Sequence, residues 1–196
     1  MTARPRLSAC VLAIVLGGSL LAASAETAHA QRRSSEAALI LRILSYDRNL
    51  RSRASHQVTL LVLYKSGDSA SESARSTIVR SINDIGRGVT VSGLPARAVE
   101  HSFTDTNALV RAARGAGASA IFVCPGLGGF NSQIAQASRR ASLLSITQDE
   151  GSVRAGLSVG IVRSGSRLRL LVNVNAARSE GARLDAALLR LAQVVR

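Results

Sequence analysis

The chain has 196 residues, 46% of them apolar and 19% charged, with three prolines and a formal net charge of +13. That composition excludes a disordered chain and suits one ordinary α/β or similar domain with a real core. Aromatic residues make up only 3%, tryptophan is absent, and the arginines are scattered, so no stacking platform for nucleic acid is expected.

The N-terminus reads as an export signal. Arg4 and Arg6 precede the apolar run 7–23 (LSACVLAIVLGGSLLAA), and Ala28-His29-Ala30 forms a small-x-small site. A positive n-region, an apolar h-region and an A-x-A site together define a secretory signal peptide. Residues 1–30 are therefore assigned to the signal peptide and 31–196 to the mature domain, in the periplasm. An uncleaved anchor is the alternative. Its run falls short of the roughly 20 residues a span needs, and it leaves the Ala-x-Ala site unexplained. Cleavage removes two positive residues and one negative one (Arg4, Arg6 and Glu26), leaving +12. Lys65 is the sole lysine. The basic surface would favour an acidic partner or anionic lipid head groups. Cys10 leaves with the signal, so Cys124 stands alone and no internal disulfide is expected. Its place at the end of an apolar run predicts a buried small hydrophobe; a reactive thiol is the alternative.

In the mature chain, Ala37, Ile40, Leu41 and Leu44 recur at helical spacing and predict a helix over 36–50. The continuous apolar run 58–64 (VTLLVLY) suits a strand buried on both faces. Ile78, Val79, Ile82 and Ile85 mark a helix over 69–88. Short extended segments follow at 89–92 and 96–103. Thr104 is the expected cap of a helix reaching about Ala116, closed by Gly115 and Gly117. Strands are predicted at 120–124 and 143–147, with a helix to about Arg140 between them, capped by Asn131 or Ser132. Strands at 157–163 and 167–173 form a hairpin across Ser164-Gly165-Ser166. A closing helix carries Leu184, Leu188, Leu191 and Val195. The alternation predicts an α/β fold: one domain, mainly parallel sheet flanked by helices, with a C-terminal antiparallel hairpin and a closing helix.

Catalytic patterns are missing. Only His56 and His101 remain after cleavage, and there is no H-E-x-x-H, C-x-x-C or G-x-S-x-G. No enzyme, no metal site and no cofactor is expected. Asp149 and Glu150, adjacent in a turn, point apart too readily to form a catalytic pair. The glycine-rich turn Pro125-Gly126-Leu127-Gly128-Gly129-Phe130-Asn131 joins a strand to a helix. Helix N-termini attract anions, and ligands bind at this end of an open sheet. Gly126, Gly128, Gly129 and Asn131, with Asp149 from the next turn, are thus the candidate small-ligand residues. A plain tight connection is the alternative. Arg163, Arg167 and Arg169 place charge beside the hairpin edge and are the candidate partner-binding residues. Solvated edge guards are the alternative.

Asn173-Val174-Asn175-Ala176-Ala177-Arg178-Ser179-Glu180-Gly181, then Leu184, then Leu188-Leu189-Arg190-Leu191-Ala192, resembles the closing motif of the YfiR family of periplasmic proteins. Leu144-Ser145-Ile146-Thr147-Gln148-Asp149 resembles the strand before it, with Gln148 where the family has glycine. Ile43 to Leu50 resembles a first helix of one branch. The resemblance covers about residues 36–195. It implies a repressor that binds the periplasmic part of an inner-membrane signalling protein, a diguanylate cyclase in characterised members, and so controls cyclic di-GMP and biofilm formation. Redox-responsive members use cysteine pairs, which Cys124 alone does not provide. A periplasmic small-solute-binding module is the competing reading, and a homodimer stays open.

Overall fold

The computed structural model describes residues 35–165 and 167–195; the assigned signal peptide lies outside them. A first helix, α1, runs over 35–45. It is followed by α2 (Leu50–Arg53), β1 (Val58–Tyr64), α3 (Ser69–Gly86), β2 (Thr90–Val91) and β3 (Leu94–Ser102). Next come α4 (Thr106–Ala116), β4 (Ala120–Val123), α5 (Asn131–Ala141), β5 (Leu144–Thr147) and α6 (Glu150–Arg154). The chain ends with β6 (Val159–Ser164), β7 (Arg167–Asn173), α7 (Val174–Ser179), α8 (Ala186–Leu191) and β8 (Gln193–Val195).

The eight strands form one sheet in the order β2-β3-β1-β4-β5-β6-β7-β8. β3, β1, β4, β5 and β6 are parallel; β7 runs antiparallel to β6, and β2 antiparallel to β3. The α/β architecture with its C-terminal hairpin is as the sequence implies. The central order β3-β1-β4-β5-β6 is that of a doubly wound sheet.

β1 explains the two-faced core. Its side chains alternate, so Leu60 and Val62 join Ile40, Leu44, Ile78 and Ile82 on one face. Leu61 and Leu63 join Leu109, Val110, Ile134 and Leu157 on the other. Helix α1 covers the first face beside α3 and fills the site that a crossover helix would otherwise take.

Several boundaries differ from the sequence expectation, each for a physical reason. The first helix stops at residue 45 because Asp47 turns inward, and the chain resumes as the four-residue α2. Asp105, not Thr104, caps α4: its Oδ1 accepts from the N–H groups of Asn107 (2.8 Å) and Ala108 (2.9 Å). Neither Asn131 nor Ser132 caps α5. A 3-10 turn over Gly128–Phe130 leads into it, and Asn131 is its first residue. The expected closing helix is broken: α8 ends at Leu191, and Val194 and Val195 pair with Val172 and Asn173 as β8. An available strand edge and two β-branched residues outweigh the helical spacing of the leucines. The short helices α6 and α7 carry no periodic signal and were not expected.

Candidate functional site

The chain leaves β1 for α3 on one face of the sheet and leaves β3 for α4 on the other. The neighbours β1 and β4 thus flank the topological switch point, where such sheets bind ligands. Three loops meet there: 65–68 after β1, 124–130 after β4, and 148–149 after β5. The Val123–Thr147 register sets the last two side by side.

Gly126 has φ +83°, and a Cβ on it would lie 2.7 Å from Asp68 Oδ2. Asp68 in turn caps α3, accepting from the Ser71 N–H at 2.9 Å. The Gly67 N–H is taken by Glu72 Oε1 at 3.0 Å. A carboxylate therefore already occupies the N-terminus of α3. Leu127 is buried, and the Phe130 ring lies 5.3 Å from that of Phe103. These two side chains pin the loop to the core. Gly128 and Gly129 face open space. Asn131 is buried, and its Oδ1 finds no partner among the described residues. Asp149 serves α6: its Oδ2 accepts from the Ser152 N–H (2.7 Å) and hydroxyl (2.6 Å). The fold thus sets Asp149, at the end of the adjacent strand, beside the loop that carries Gly126 and leads into Asn131 at the start of α5. The Asp149 carboxylate is committed to its own helix.

Gly126→Ala is expected to cost about 1–3 kcal/mol, because a left-handed residue gains a Cβ and the Asp68 cap must shift. Gly128→Ala, with open space around it, should stay within about 0.5 kcal/mol. Urea melts of the two variants provide the comparison. Equal losses would show that the Asp68 approach does not constrain the loop.

The hairpin arginines divide between the two faces. Arg163 pairs with Leu168, while Arg169 pairs with Val162 and Arg167 with Ser164. Paired residues share a face, so Arg167 and Arg169 lie on the α6 side and Arg163 on the α1 side. Arg169 is also bound, 2.9 Å from Glu150 Oε2. All three are exposed.

Cys124 is buried, and desolvation pushes its thiol pKa up to about 12. Reductant should leave Tm unchanged, and a thiol reagent should label the protein only once it unfolds. Rapid labelling of the native protein would contradict this.

Sequence reading passes over two buried carboxylates. Asp47 pairs with Arg53 and accepts from the N–H groups of Asn49 (3.0 Å) and Arg183 (2.8 Å). Its signal is that the apolar series 37, 40, 44 continues at an acidic residue. Glu180 accepts from the Ser145 N–H (2.8 Å) and hydroxyl (2.7 Å) and from the Ser158 hydroxyl. Only the folded chain brings those serines to it. No helix among the described residues is long and apolar enough to cross a membrane. No group of three or more His, Cys, Asp or Glu among them could hold a metal ion.

A doubly wound α/β domain with loops gathered at one switch point is the class this fold defines. The chain belongs to the YfiR/HmsC-like family, whose model matches residues 33–193. No curated relative matches. Among solved structures it is similar to a conserved domain protein from Vibrio cholerae, at 15% identity and TM-score 0.59, covering 84% of this chain and 60% of that one. An ABC domain in complex with L-Trp from Streptococcus pneumoniae is similar at 12% identity and TM-score 0.56, over 78% of this chain and 62% of that one. A ligand-free, open substrate-binding protein with adhesive properties from Clostridium difficile gives 13% and 0.52, over 76% and 57%. The chain thus spans about three fifths of these structures, and the likeness is one of fold.

Proposed function

We propose that the protein is an exported, non-catalytic regulator that acts in the periplasm by contact. It binds and represses the periplasmic part of an inner-membrane signalling protein, a diguanylate cyclase by family resemblance. The observation that carries this reading is family membership across residues 33–193, which takes in nearly the whole described domain. Arg163, Arg167 and Arg169 are the proposed contact residues. Deleting the gene should raise cellular cyclic di-GMP, and the exported protein should restore the level. A copy lacking residues 1–30 should not restore it. An unchanged level in the deletion strain would remove the cyclase from this reading. Reversing all three arginine charges should leave the fold intact, since exposed substitutions usually cost no more than about 0.5 kcal/mol. Partner capture should weaken, most of all at low salt, where screening is least.

Likeness to solute-binding folds favours a second reading, a periplasmic small-solute-binding module. Gly126, Gly128, Gly129, Asn131 and Asp149 would line its site. The described residues form a single lobe around one sheet, whereas such modules usually close two lobes over a solute. Calorimetric titration with small anions and amino acids tests it; binding lost on altering Gly128 or Gly129, with partner capture intact, would favour it.

A further inference from the structure

The hairpin continues past the body of the sheet. β5 pairs with β6 only at Val159 and Gly160, and β8 pairs with β7 only at Leu171–Asn173. Residues 161–164 and 167–170 therefore pair only with each other, as a two-stranded arm. Among the described residues, no strand is in register with the outer edge of 167–170; β8 begins its pairing at Leu171. Alternate residues there turn their main-chain N–H and C=O groups toward that open edge.

A groove of about 190 Å³ lies between this part of β7, α1 and α8. Leu39, Tyr46, Leu168, Leu170, Leu188 and Leu191 supply its apolar wall, and no acidic residue lines it. Leu191 is 74% exposed and Leu168 40%. Ligand sites for small organic molecules run to ~300 Å³ or more. This groove suits one or two apolar side chains instead. Basic residues surround it: Arg42 lines it, and Arg163 shares the face of Leu168. Among the described residues no carboxylate pairs with Arg42, Arg163 or Arg167.

We infer that this groove and strand edge dock an extended acidic segment of the partner protein. The segment lies along Arg167–Leu170, shares main-chain hydrogen bonds with β7, and seats one or two apolar side chains against Leu168 and Leu191. Its carboxylates meet Arg42 and Arg163. Charge decides the occupant. A second copy of this chain would bring arginine against arginine in a molecule of net charge +12 after cleavage. The concave groove and open strand edge favour a peptide strand over a membrane surface. This inference rests on the contact-regulator reading and specifies the chemistry of the contact.

The test uses the mature protein and a labelled peptide, acetyl-Glu-Leu-Asp-Val-Glu-Leu-Asp-Val-amide, in fluorescence anisotropy. A control peptide carries lysine at every acidic position. Saturable binding of the acidic peptide alone is expected, with amide exchange slowed at 167–170. Leu168→Asp and Leu191→Asp should each weaken it about tenfold or more, while Arg114→Glu, on the distant α4, should not. Equal binding of the lysine peptide, or no saturable binding, overturns the proposal. So does binding only to phosphatidylglycerol vesicles, or self-association that the two leucine variants abolish. Repression that survives Leu191→Asp in cells sinks this docking mode and leaves the regulatory reading standing. A deletion without effect on cyclic di-GMP, with peptide binding intact, does the reverse.

Discussion

Asp47→Ala is expected to destabilise the protein by about 3–5 kcal/mol, the usual cost of leaving one member of a buried ion pair alone. Arg53 retains only 9% side-chain exposure, and among the described residues its Nε and Nη1 have no partner. The substitution strips its remaining partner and orphans the N–H groups of Asn49 and Arg183. The Asn49 bond is local, and the Arg183 bond ties the turn after α1 to the segment before α8, where Asp47 and Leu184 also form a bridge. A chain of this size loses roughly 2–4 °C of Tm per kcal/mol, so the melt should fall by about 10 °C. Asp47→Ala with Arg53→Met should regain part of that loss, because the buried charge is gone. A single variant that melts with the parent would show that Asp47 is not the tie described.

A second large effect is expected from Glu180 and pH. Burial pushes its carboxyl up to about 7, against the ordinary 4.5, and the hydrogen bonds from Ser158 and Ser145 oppose that shift only in part. The folded state then binds a proton that the unfolded state has released. Stability from this group is full below about pH 4.5 and declines as pH rises toward 7, by roughly 3 kcal/mol in all. His101 works in the opposite sense, since burial lowers its pKa and acid must charge it in place. Asp105 and Asp185 have depressed carboxyls, so their contributions fade only at lower pH. The informative quantity is therefore the difference between the parent and Glu180→Gln. Urea melts at pH 5 and pH 8 should show a fall in the parent that the variant lacks. Parallel pH profiles would mean that Glu180 carries no such proton.

The chain order of elements was largely legible because burial on both faces leaves continuous apolar runs. The run 58–64 became β1 to the residue, and the core of 120–124 became β4. Amphipathic spacing found α1 and α3, and cap and glycine signals marked α4 and α5. The candidate loop was legible as a turn because Gly126 must take a positive φ. That Asp68 is what approaches it was not legible, since the two residues lie far apart in sequence.

The sequence by itself determined the class: a mainly parallel α/β domain, its terminal hairpin, the burial of Cys124 and its family. Those properties follow from local periodicity, composition and one motif, which a linear reading carries. Only the tertiary structure decided that the last residues form β8 rather than a helix, and that Arg163 parts from Arg167 and Arg169. It also decided that Asp47 and Glu180 are buried and that a groove opens between α1 and the hairpin arm. Each of these depends on which distant strand or helix lies alongside. Side-chain burial and strand pairing are set by neighbours in space, and for β8, Asp47 and Glu180 these include residues 22 to 137 positions away in the chain.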